Sequence, residues 1–197
     1  MFSLSGYLKK IVLVVLSIQV GLSLMGRTSF CEPSQSPQEE SDWSTVNSNY
    51  FNIYYRPDAN LYGIERELTA RALNFDQAAR YGDITVLDEI CLRLDKLFSH
   101  VKDLLNMYPN IPKVIIKIFK DRAELNDEYS KIFSKKDDLK AYYVKDYNTI
   151  YTSEADIADS IVIHEMAHVI IDHYFDVAPP EKVSEILASY VDAHIEE

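Results

Sequence analysis

His164, Glu165 and His168 lie in the run His-Glu-Met-Ala-His, two imidazoles four residues apart with a carboxylate directly after the first. On a helix, positions four apart share a face, with Cβ atoms about 5–6 Å from each other. Two imidazoles so placed can ligate one Zn²⁺ at about 2.0–2.1 Å. Glu165 is turned about 100° from His164 around such a helix. It can therefore flank an ion without ligating it and take a proton from a water held there. The chemistry of this arrangement is metal-assisted hydrolysis.

The surrounding residues predict the helix that the spacing needs. Ser153 and Asp156 make a capping-box pattern that would start it. Ile157, Ala158, Ile161, Val162, Val169 and Ile170 supply apolar positions, and neither Pro nor Gly interrupts residues 153–177. Apolar triplets on both sides of the polar trio predict a largely buried helix. A His-Glu-His cluster inside such a helix is costly unless something satisfies it, and a metal ion would.

Two histidines leave a catalytic zinc one protein ligand short. The metzincin pattern would put glycine at position 171 and histidine at position 174. The chain has Ile171 and Tyr174 there, with His173 one residue out of register, so that class is rejected. The other source is a Glu from a following helix, and Glu185 sits early in a helical stretch after the Ala-Pro-Pro break at 178–180. Periodicity leaves two readings of it open. Val183, Ile186, Leu187, Tyr190 and Val191 form an apolar face, while Glu185, Ser189 and Asp192 lie roughly opposite. That second face is either solvated or turned to a metal.

The elements that must position these residues read as follows. Residues 50–55 have strand composition, and helical stretches follow at 62–80 and 84–107, the second with Leu87, Ile90, Leu94, Leu97, Val101 and Leu104 in step. Residues 113–119 form the strongest strand. Asp121 can cap a helix to about Phe133, the charged 135–140 segment is a loop, and 141–144 and 148–152 are short strands. The motif helix and a last helix to about Ile195 complete an α+β order with about four strands in a small mixed sheet.

Ahead of this domain, Lys9 and Lys10 precede the apolar run 11–16, which continues weakly to Met25. That is the n-region and h-region of a secretory signal. Fifteen or so residues make about 24 Å of helix, short of the roughly 30 Å bilayer core. Residues 1–26 therefore read as a signal peptide, with an N-terminal membrane anchor as the alternative if it is uncleaved. Residues 27–49, rich in Ser, Gln, Glu and Pro, read as a flexible linker to a domain at 50–197. The protein is expected to be exported, periplasmic or secreted, and to meet a membrane only through its N-terminal segment. A net charge of −11 without a basic patch argues against nucleic acid as a partner. Of the two cysteines, Cys91 is in step with Leu87, Leu94 and Phe98 and reads as a buried small hydrophobe. Nothing in the sequence favours its pairing with Cys31.

Over residues 50–195 the chain resembles the gluzincin-type, thermolysin-related metallopeptidases, in particular small bacterial peptidase MA-like domains. The resemblance rests on His-Glu-x-x-His at 164–168, on the strands at 51–55, 114–119 and 148–151, and on Glu-Ile-Leu-Ala-Ser-Tyr at 185–190. That last run matches a family Glu-Gly-Leu-Ala-Glu-Tyr pattern at four of six positions. It implies a zincin-like fold, with His164, His168 and Glu185 as Zn²⁺ ligands and Glu165 as general base. It also implies a peptide or protein substrate, held against an edge strand within 141–152. The chain departs from the pattern at Ile186, where the family often has glycine. It departs again at Ser189, where an aspartate often steadies a zinc histidine; Asp192 is the substitute on nearly the same face. Tyr190 and His194 fall on the apolar face and are expected in the core, so the oxyanion-stabilising role has no assigned residue. The alternative to a peptidase is a non-catalytic zinc-binding exported interaction module with a degenerate zincin fold. It would need a fourth ligand such as Asp172, His173 or His194.

Overall fold

The computed structural model describes residues 42–69 and 84–195. In chain order its elements are strands β1 (Ser44–Asn47) and β2 (Phe51–Tyr55), helices α1 (Leu61–Glu67) and α2 (Val86–Leu105), and strand β3 (Val114–Phe119). Helix α3 (Arg122–Phe133), strands β4 (Ala141–Val144) and β5 (Thr149–Ser153), and helices α4 (Asp159–Tyr174) and α5 (Glu181–His194) follow. A 3₁₀ turn, Lys145–Tyr147, joins β4 to β5.

The strands form one mixed sheet in the order β1-β2-β3-β5-β4. β2, β3 and β5 run parallel, and β1 and β4 close the two edges antiparallel. Parity along each strand divides the side chains between two layers. Phe51, Ile53, Val114, Ile116, Ile118 and Ile150 join the main core with residues of α2, α4 and α5. Phe119, Tyr142, Val144 and Tyr151 have the other parity and pack with Leu125 of α3. β5 lies between β3 and β4, and all five of its residues are buried. α4 follows β5 after a short turn, and its polar trio is half-buried.

The mixed α/β architecture agrees with the α+β class, with corrections. The sheet has five strands rather than about four, because the linker expected to run to residue 49 ends earlier. Ser44–Asn47 pairs with β2 from Tyr55 to Asn52, and Trp43 packs edge-on to Phe119 at 5.2 Å. The helix expected over 62–80 is α1 in its described part, and 70–80 lie outside the described residues. The leader 1–26, Cys31 and the linker up to residue 41 lie outside them too. None of the helices among the described residues is long and apolar enough to cross a membrane. Cys91 is a buried free thiol, pushed up to about 11 by desolvation and by Asp95 and Asp88.

The capping box expected at Ser153 and Asp156 is also corrected. Ser153 ends β5, and α4 starts six residues later from Ala158, which gives no side-chain cap. The Ser153 hydroxyl does donate to Asp156, at 2.8 Å, but within the connecting turn. There Asp156, 8% exposed, takes a two-point contact from Arg122 at the start of α3, one bond being Nε to Oδ2 at 2.9 Å. A Ser-x-x-Asp pattern stabilises any tight turn that offers the same reach, and here the strand end captured it. Thr69 Oγ1 donates to Asp159 Oδ2 at 2.7 Å and ties the first turn of α4 to the end of α1.

Asp156 is held below the usual carboxylate range, first by Arg122 and then, against its desolvation, by Ser153. A depressed folded pKa stabilises the fold above the unfolded value of about 3.9, and the contribution disappears as pH falls through the lower folded value. Asp156→Asn is therefore expected to cost about 1–2 kcal/mol at neutral pH. That difference should shrink below about pH 4, in urea unfolding followed across the acid range. A difference that stayed constant down to the acid limit would show that the charge of Asp156 is not what matters.

Candidate metal centre

α4 is buried on most of its circumference, through Val162, Ile163, Met166, Ala167, Val169, Ile170 and Ile171. The polar trio occupies what remains. α5 folds back after the proline break and lies along α4. Its packed side is Leu187, Ala188 and Val191, with the small Ala188 fully buried at the contact. This rotation corrects the expected apolar face. Val183, Ile186 and Tyr190 are exposed, and Tyr190 stacks on His194 at 4.1 Å instead of entering the core. Glu185, its side chain 52% exposed, lies beside the two histidines.

The donor geometry is close. His164 Nε2 and His168 Nε2 are 3.2 Å apart. Glu185 offers one carboxylate oxygen 3.4 Å from His168 Nε2 and the other 3.6 Å from His164 Nε2. Two bonds of about 2.05 Å at a tetrahedral angle separate their donors by about 3.3–3.4 Å. One donor atom from each of the three residues lies within 4.8 Å of the other two, close enough for a shared ion.

Hydrogen bonding aims the same atoms inward. His164 Nδ1 is 2.9 Å from Asp192 Oδ2. A carboxylate only accepts, so Nδ1 carries the proton, and Nε2 is the ring atom turned towards His168. Two imidazole nitrogens and a carboxylate oxygen are donor types that a zinc ion takes. The donor set therefore fits Zn²⁺. Burial draws His164 down, but the bond and charge of Asp192, helped by Glu165 and Glu185, hold it above its ordinary value. His168 is held below its ordinary value by burial and by His164, against the pull of Glu185.

Glu165 flanks the donors and belongs to another contact. Its carboxyl is pushed up to about 7 by desolvation, against the pull of His164 and a hydrogen bond from the Tyr143 backbone on β4. The sequence carries no signal for this last partner, since an amide has no side-chain signature. The residues expected to close a four-ligand site are engaged elsewhere. Asp172 pairs with Lys145 at 3.1 Å, His173 Nδ1 donates to the Val169 carbonyl, and His194 Nδ1 to that of Tyr190. Among the described residues, His164, His168 and Glu185 are the group placed to hold a metal.

The aspartate that steadies His164 is Asp192, two turns beyond Glu185; Ser189 is exposed and takes no part. Asp192→Ala is expected to weaken zinc binding about 10–100-fold, while Ser189→Ala leaves it unchanged, in competition titrations against a zinc-sensitive chelator. Equal effects of the two would remove Asp192 from this role.

Comparison of the chain with protein-family models, with curated proteins and with solved structures finds no match.

Proposed function

We propose that the chain is a zinc-dependent peptidase with a zincin-like fold, in which His164, His168 and Glu185 hold Zn²⁺ and Glu165 is the general base. The observation that carries this reading is the convergence of the two Nε2 atoms and the Glu185 carboxylate within 3.2–3.6 Å, with Glu165 beside them and outside the donor set. Three protein ligands leave one coordination position for water or substrate, as a catalytic site requires. The bound ion would supply a Lewis acid that polarises the scissile carbonyl and acidifies water.

The chain's own groups do the rest. Asp192 fixes the tautomer of His164, and the Tyr143 amide orients the Glu165 carboxylate. Glu165 accepts a proton from the attacking water and returns it to the leaving amine, so that the amine departs neutral. Among the described residues β4 is paired on one side only, with β5. An extended peptide can add to its open edge, gaining affinity from main-chain bonds with little demand on sequence. The substrate is accordingly a peptide or an unfolded protein segment, met outside the cytoplasm after export through residues 1–26.

One zinc per chain is expected after metal is offered to the purified protein. Glu185→Ala should lose most of it under mild chelation. Zinc retained unchanged would move the third ligand elsewhere, and zinc absent from the parent would end the reading.

Glu165→Gln is expected to keep the zinc and lose at least about 10²–10⁴-fold in cleavage of a panel of unfolded proteins. Parent activity should stop with chelator. Cleavage retained in Glu165→Gln would remove Glu165 as base. A zinc-loaded parent that cleaves nothing in the panel would favour the non-catalytic binding module.

A further inference from the structure

Two contacts join one face of α4 to the edge strand and to the turn that follows it. Glu165 and Asp172 are seven residues apart, so they point almost the same way from α4. Glu165 meets the Tyr143 amide, and Asp172 meets Lys145, two residues further along, with Nζ 3.1 Å from Oδ1. Asp172 is largely buried at this contact, its side chain 20% exposed. Between the two, the Tyr143 ring packs against the main core, and its hydroxyl donates to Asn148 Oδ1 at 3.3 Å. β4 is four residues long and, among the described residues, has a strand neighbour on one side only. Such a strand shifts easily unless something outside the sheet holds it.

We propose that Asp172 is a positioning residue: through Lys145 it holds β4 against the motif helix and so sets the distance between the strand and the Glu165 carboxylate. The proposal rests on the peptidase reading above for its effect on turnover, and on geometry alone for its effect on the strand. A partly exposed ion pair adds little to global stability, about 0–1 kcal/mol. Catalysis is more sensitive, since a misplacement of 1 Å costs on the order of 10²-fold. The pair therefore matters far more to the placement of the base than to the persistence of the fold.

The test uses the zinc-loaded full chain with Asp172→Asn, Lys145→Met and the exchanged pair Lys145→Asp with Asp172→Lys. Each single change is expected to lower kcat roughly tenfold with KM little changed, a shift of a few tenths of an ångström on the same scale. Zinc content and Tm should stay at the parent's values, and the exchanged pair should recover most of the loss. Lys145→Met leaves the carboxylate near His168 in place, so it separates the tether from any direct influence of Asp172 on the metal ligands. A second readout needs no turnover. Exchange of the Tyr143 amide should be roughly tenfold faster in each single variant, because its partner Glu165 is no longer held opposite it. Unchanged kcat in an active parent, or no recovery in the exchanged pair with zinc retained, would overturn the proposal. So would unchanged Tyr143 exchange. If the parent itself cleaves nothing, the peptidase reading has failed, and amide exchange still decides whether the tether exists.

Discussion

α4 is under two opposed demands. It must be apolar over most of its surface, because it packs into the main core with the sheet, α2 and α5. It also carries three titratable side chains within five residues, and each polar atom brought out of water needs a partner. The arrangement around α4 is the set of partners that meets this need. Asp192 takes the Nδ1 proton of His164, the Tyr143 amide bonds Glu165, and Glu185 comes within 3.4 Å of His168. These partners come from elements on two sides of the helix. α5 must therefore return along α4, and β4 must remain at the sheet edge beside it. The same arrangement leaves His164, His168 and Glu185 close enough together to hold a metal ion.

The parts legible in the sequence were those in which one local pattern has one outcome. His164, Glu165 and His168 were legible because ligation by two imidazoles fixes their spacing on a helix. α2, β2, β3 and α3 were legible from periodicity, β propensity and the Asp121 cap, which accepts from the Glu124 amide at 2.9 Å. The failures have a common cause: the same local signal suits two structures. Ser153 and Asp156 bond as a capping box would, inside a turn. Ser44–Asn47 is an edge strand without an apolar alternation, so nothing in its composition separates it from a linker. On α5, apolar residues lie on two sides, and a small Ala188 at the helix contact outweighed larger side chains that stay in water. Helix packing rewards close approach, which a hydrophobicity pattern does not record.

Glu165, the proposed base, is turned to a strand and not to open solvent. A solvated glutamate titrates near about 4.3 and is a weak base at neutral pH. Burial raises this one to about 7, while His164 and the Tyr143 amide pull the other way. A divalent ion at the neighbouring donors would pull further in the same direction, since its charge is the largest in the site. Desolvation by the fold pushes the other way. The side of α4 against β4 supplies that dryness. Because β4 is an edge strand, it also leaves an open row of main-chain groups next to the base. A central strand would give the dryness without the access, and a solvent-facing helix surface would give the access without the dryness. On the proposed reading, the placement of β4 at the margin of the sheet is what allows a buried base to meet an external peptide.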